Sequence, residues 1–117
     1  MSMNMVGRST SFTVKAGSTA TLQITVKDAN GTAKNLSNTV TYNSGKWKVW
    51  KPDGTLLLDG TITFVDRSNG IVSYTLGASD ITNAKAGIWE GEIELKNSSG
   101  VISEQTQSFN FIMEESY

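Results

Sequence analysis

Thr19-Ala20-Thr21-Leu22-Gln23-Ile24-Thr25-Val26-Lys27 decides the fold class. Ala20, Leu22, Ile24 and Val26 alternate with Thr19, Thr21, Gln23, Thr25 and Lys27. A period of two places the first set on one face of a β-strand and the second on the other. One apolar face and one polar face mean that the strand covers a core on one side only. Asp28-Ala29-Asn30-Gly31 then turns the chain, because Asn and Gly tolerate the positive φ angles of tight turns.

The same pattern continues in both directions. Upstream, residues 11–15 make a short strand with Phe12 and Val14 on one side, linked onward by Gly17 and Ser18. Downstream, residues 32–44 are looser and rich in Asn, Ser and Thr, with Leu36 and Val40 expected to tuck inward. Residues 45–51 form a strand with Trp47 and Val49 on one face and Lys46, Lys48 and Trp50 on the other. Pro52-Asp53-Gly54 turns the chain, since proline presets one φ and glycine accepts a φ that other residues resist. Residues 55–65 continue as strand, with an interruption expected at Asp59-Gly60, before a turn at Asp66-Arg67-Ser68-Asn69-Gly70. Residues 71–76 follow with Val72, Tyr74 and Leu76 on one face. Ser79 or Asp80 is placed to cap a single helical turn that Gly87 ends. Residues 88–96 carry Trp89, Ile93 and Leu95 on one face and Glu90, Glu92 and Glu94 on the other. A hairpin at Asn97-Ser98-Ser99-Gly100 leads to a last strand, residues 101–113, with Phe109, Phe111 and Met113 aligned.

About seven to nine short strands result. Their spacing leaves no room for intervening helices, which excludes a parallel α/β sheet. Each one-sided sheet must bury its apolar face against another, so the expected fold is all-β: an immunoglobulin-like antiparallel β-sandwich, with a small barrel as the alternative. The expected organisation is a flexible N-terminal arm over residues 1–10, one sandwich domain over residues 11–113 and a C-terminal tail over residues 114–117.

Composition narrows the function. The 117 residues include no cysteine, so disulfides and thiolate metal sites play no part in the fold. There is no histidine either, which removes the commonest general base, metal ligand and near-neutral pH switch. Ten Lys and Arg against eleven Asp and Glu leave a net charge of −1, without the basic excess of nucleic-acid binders. No apolar run is long enough for a signal peptide or a membrane span. The expected setting is a cytoplasm, or a particle assembled in one. Asn35-Leu36-Ser37 and Asn97-Ser98-Ser99 match the glycosylation triplet but are better explained as loop asparagines.

Three groups of residues invite a chemical role. Glu90, Glu92 and Glu94 alternate along one strand and line one face, whereas a glycosidase pair must face across a cleft. A solvated outer face explains them better. Asp28-Ala29-Asn30-Gly31 resembles the start of a calcium loop but lacks the later ligands and the closing glutamate. A hairpin turn suffices. Lys46, Lys48 and Trp50 form the candidate interface. An outward tryptophan between lysines can stack on a partner protein, a base or a sugar. The better explanation is that it lies flat over the sheet edge with the lysines as ordinary outer-face residues. No catalytic residue, cofactor or metal is expected.

Four patterns then occur in order. They are Gly17-Ser18-Thr19 with its alternating strand and Asn30-Gly31 turn; Lys51-Pro52-Asp53-Gly54-Thr55; Asn69-Gly70-Ile71-Val72-Ser73-Tyr74-Thr75-Leu76; and Ala86-Gly87-Ile88-Trp89-Glu90-Gly91-Glu92-Ile93. The series resembles the N-terminal domain of the phage baseplate upper protein family, over most of the chain from Phe12 to Met113. The resemblance implies a non-enzymatic immunoglobulin-like sandwich that fixes a trimeric protein to the tail baseplate. Its partners would be other virion tail proteins, with no nucleic acid and no membrane. In that family a coiled coil follows and carries receptor-binding proteins, but no heptads follow Met113 here. The expectation is an excised anchoring domain or a small standalone virion protein. A capsid-decorating immunoglobulin-like protein and a carbohydrate-binding module built on Trp50 are the alternatives.

Overall fold

A computed structural model describes residues 11–106 and 108–116. The arm expected over residues 1–10 and the final tail residue, Tyr117, lie outside the described residues. Nine strands form among those described: β1 (Ser11–Lys15), β2 (Ala20–Thr25), β3 (Ser44–Trp50), β4 (Leu56–Thr61), β5 (Thr63–Asp66), β6 (Ile71–Leu76), β7 (Gly87–Lys96), β8 (Ile102–Gln105) and β9 (Phe109–Glu114). Six build one sheet in the order β1-β9-β7-β3-β4, with β8 also paired to β7. The others build a second sheet, β2-β6-β5. Every pairing is antiparallel except β1 with β9. A β2-β6-β5 layer facing β9-β7-β3, with β4 added beyond β3, is the B-E-D and G-F-C arrangement of an immunoglobulin-like sandwich.

Trp47 on β3 is fully buried at the centre. It lies edge-on to Phe12 at 5.1 Å, tilted on Phe109 at 5.0 Å and stacked with Tyr74 at 6.1 Å. Aromatic pairs of this kind add about 0.5–1.5 kcal/mol each beyond burial. The core thus replaces the missing disulfide with a knot of rings. The indole N–H of Trp47 has no hydrogen-bond partner among the described residues. Gly60 on β4 makes room for the knot, because a Cβ there would run into the Tyr74 ring. Val49, Ile93, Leu95, Phe111, Met113, Val72 and Leu76 complete the interior, all on the faces that alternation assigns to it. Leu22 and Ile24 of β2 are half-buried against it, as expected of an edge strand.

Several expectations are corrected. Residues 55–65 break at Ile62 rather than at Asp59-Gly60, and the break moves the chain from one sheet to the other: β4 pairs with β3, β5 with β6. Ile62 is buried at the crossing, and its N–H donates to the Gly45 carbonyl (3.1 Å). The last strand is split into β8 and β9, laid along successive halves of β7. Thr106 remains tied to β7 between them, its N–H donating to Ile93 O and its Oγ1 accepting from Ile93 N.

Leu36 is buried as expected, but Val40 is 65% exposed. Asn38 turns the chain at that point, its Oδ1 accepting from Val40 N and Thr41 N. The short helical turn is a 3-10 turn, Asn83–Lys85, preceded by Thr82 and followed by Ala86. Neither Ser79 nor Asp80 caps it; Asp80 Oδ2 instead accepts from Gly77 N (2.6 Å) and Tyr74 Oη (3.0 Å). In the expected tail, Glu114 ends β9 opposite Lys15, and Ser116 exchanges two hydrogen bonds with Asn83.

Candidate functional site

The outer face of the six-stranded sheet is built by cross-strand rows, because directly paired residues share a face. Trp50 stands between Leu56 of β4 and Glu90 of β7, with Asn110 of β9 beyond. The next row holds Ile88, Ile112 of β9 and Thr13 of β1. In the other direction come Asp59, Lys48 and Glu92, and then Thr61, Lys46, Glu94 and Gln105. One end of the face is therefore apolar and the other charged. Ile88 is 68% exposed, Leu56 is 49% exposed, and Trp50 and Ile112 are half-buried.

Lys46, Lys48 and Trp50 do share this face, but the lysines are already engaged. Lys48 Nζ lies 3.4 Å from Glu94 Oε2, and Lys96 Nζ lies 4.0 Å from Glu94 Oε1. Lys46 Nζ is 3.4 Å from Thr61 Oγ1 and faces Glu94 across the strands. The three glutamates are not a uniformly solvated row. Glu90 is exposed, Glu92 half-buried and Glu94 buried at 5% exposure. Glu94 lies in the central strand, paired across to Lys46 and within ion-pair reach of Lys48 and Lys96. Burial, reinforced by the charges of Glu94 and Glu90 and opposed by Lys48, raises the Glu92 pKa above the usual carboxylate range. The lysines thus balance buried charge within the sheet, and the groups this face leaves open to solvent are Leu56, Ile88 and Glu90, with Trp50 half-buried among them. Ile88 shares parity with the three glutamates, and that was the available signal for its exposure.

The remaining tryptophan, Trp89, faces inward. Its Nε1 donates to the Lys85 carbonyl (2.8 Å), and Lys51 Nζ lies 5.4 Å from its ring centroid. Asp28-Ala29-Asn30-Gly31 is a hairpin turn: Asp28 Oδ1 accepts from Asn30 N and Thr32 N. Asn35 and Asn97 likewise accept from nearby main-chain N–H groups. Among the described residues, no group of three or more acidic side chains could hold a metal ion, and no helix is long and apolar enough to cross a membrane.

The family model of the BppU N-terminal domain matches residues 3–117. The chain belongs to the BppU N-terminal domain family. It is accordingly a phage baseplate structural domain with a β-sandwich fold. Among solved structures, the BppU-type chain is similar to the N-terminal domain of phage TP901-1 ORF48. That match has a TM-score of 0.63 and 16% identity, and covers 88% of this chain and 83% of that one. At that identity the likeness speaks for the fold. CopC from Methylosinus trichosporium OB3b superposes with a TM-score of 0.45 and 14% identity, over 93% of this chain and 88% of that one, too loosely to bear on function. No curated protein matches.

Proposed function

We propose that this domain is a non-enzymatic adaptor that anchors a tail protein to the phage baseplate by protein–protein contact. Membership of the BppU N-terminal domain family carries the reading. The apolar end of the outer sheet face supports it, because exposed Ile88 and Leu56 beside Trp50 form a partly desolvated cluster with a polar surround. In this reading Trp50 is the anchor, and Lys46 and Lys48 hold the sheet beside it rather than touch the partner. Truncating a tryptophan that acts as an interface hot spot costs about 2 kcal/mol or more. Around a symmetric tail, several such contacts would act together. The family resemblance further implies a homotrimer and a place in the virion tail, with no nucleic acid or membrane partner.

The test is retention of baseplate proteins, purified from the tail, by the immobilised domain. Wild type should retain them, and Trp50→Ala and Ile88→Arg should lose at least roughly tenfold in affinity, the equivalent of about 1.4 kcal/mol. Circular dichroism of both variants should stay native, since the altered side chains lie outside the core. Undiminished retention by both variants would exclude this face. Binding of capsid protein alone would replace the adaptor role with decoration. A Trp50-dependent fluorescence change with cell-wall polysaccharide, without baseplate binding, would replace it with sugar recognition.

A further inference from the structure

The chain contains two Asn-Gly pairs, Asn30-Gly31 and Asn69-Gly70. Glycine after asparagine leaves the following main-chain nitrogen unhindered and its backbone free to rotate. That nitrogen can lose its proton and attack the asparagine Cγ. A new N–Cγ bond closes a five-membered succinimide, and the side-chain nitrogen leaves as ammonia. Water then opens the ring. Opening at Cγ gives aspartate, and opening at the main-chain carbonyl gives isoaspartate, with the chain rerouted through the side chain. One water is consumed and one ammonia released, with no change of oxidation state.

We propose that Asn30 is a site of spontaneous deamidation in the folded protein and that the fold protects Asn69. Asn30 and Gly31 are both exposed, and a Cβ placed at Gly31 would meet nothing within 4 Å. The Asn30 side-chain amide has no hydrogen-bond partner among the described residues. Four bonds hold the turn, and all of them run to or from Asp28: Asp28 N to Thr32 O, Gly31 N to Asp28 O, and Asn30 N and Thr32 N to Asp28 Oδ1. They are local and solvent-exposed, and only the isolated Lys27–Ala33 bridge closes the loop beneath them. Exposed turns of this kind open at little cost in free energy.

Asn69 is held differently. Its Nδ2 donates to Asp66 Oδ2 (2.8 Å), a bond that must break before the amide is free to react. Gly70 is buried at a φ of 70°. Its N–H donates to Arg67 O (3.2 Å), and its carbonyl accepts from Val26 N (2.8 Å). The carbonyl oxygens of Lys34 and Val26 crowd its α-carbon, at 2.6 and 2.7 Å from where a Cβ would stand. Ring closure there requires Gly70 to rotate out of a tertiary contact, so it waits on a larger opening of the fold.

Conversion at Asn30 takes the formal net charge from −1 to −2 and sets a second carboxylate beside Asp28. The isoaspartyl product also lengthens the turn by one main-chain bond.

Folded protein should be held at mildly alkaline pH, sampled over time and digested with trypsin. Residues 28–34 and 68–85 are released as separate peptides. Peptide 28–34 should gain the mass of an NH-to-O exchange at least roughly tenfold faster than peptide 68–85, because its site needs only a local opening and the other a larger one. It should resolve into two products of equal mass. In denaturant both peptides should convert at similar rates, which shows that the fold makes the difference. Equal rates in the folded protein, or faster conversion at Asn69, would overturn the proposal.

Discussion

Tyr74 belongs to the smaller sheet, yet its ring reaches over Gly60 of the larger one and its hydroxyl ends on Asp80 Oδ2 at 3.0 Å. Burial, with the hydrogen bond to Asp80 and that group's charge, pushes its pKa up to about 12 from an ordinary 10.0. The folded protein therefore keeps the phenol proton between pH 10 and 12, where the unfolded chain releases it. Stability falls with pH wherever the native state binds more protons, so it should decline through that window. Tyr74→Phe removes this titration and leaves Asp80 with one fewer donor. The expected result is a loss of about 1.5–3 kcal/mol at neutral pH, the range for hydrogen bonds to charged groups. The variant should also show a flatter stability profile from pH 10 to 12. Denaturant titrations at several pH values measure both. A slope as steep as that of wild type in Tyr74→Phe would assign the alkaline loss to another group.

Among the elements, the long connection between β2 and β3 depends on a residue far along the chain. Arg67 Nη1 donates to the carbonyls of Leu36 (3.2 Å) and Tyr42 (2.7 Å), and its guanidinium carbon lies 3.8 Å from the Phe64 ring centroid. The Leu36 N–H returns a bond to the Arg67 carbonyl (2.7 Å). Arg67→Ala should cost about 2–3 kcal/mol, from charge-assisted bonds and the lost cation–π contact. Amide exchange should accelerate across residues 36–42 more than in β7. Uniform acceleration would mean that Arg67 supports the whole fold rather than this connection. None of this was legible in a stretch that reads as a turn, because the contact spans about thirty residues and leaves no local pattern. β3 was legible: Trp47 and Val49 alternate with lysines, and Pro52-Asp53-Gly54 closes it. The crossing at Ile62 was not. Thr61-Ile62-Thr63 continues the alternation through the change of sheet, whereas Asp59-Gly60 looks like a break and is held in register opposite Trp47 and Lys48. On the candidate face, parity placed Trp50 correctly. The engagement of Lys48 with Glu94 depends on strand order, which periodicity does not encode.

At the scale of the whole molecule, the two sheets are joined by aromatic packing and by the β4–β5 crossing, so neither can be lifted away without breaking the core. The outer face divides into a self-neutralised charged end and an apolar end, which is why the proposed docking variants are confined to Trp50 and Ile88. The pairing of β1 with β9 adds a mechanical property. These strands run in the same direction, with Ser11 opposite Asn110 and Lys15 opposite Glu114. A pull applied before Ser11 and after Glu114 loads all five residue pairs of that ladder together, along the strands and across the direction of their hydrogen bonds. Resistance to such a pull is set by the barrier to unfolding rather than by equilibrium stability. A tail domain joined so would yield abruptly and at high load when stretched between its ends, and much more easily when peeled from one end. Single-molecule pulling from the two attachment geometries would show that contrast as a higher rupture force for the first.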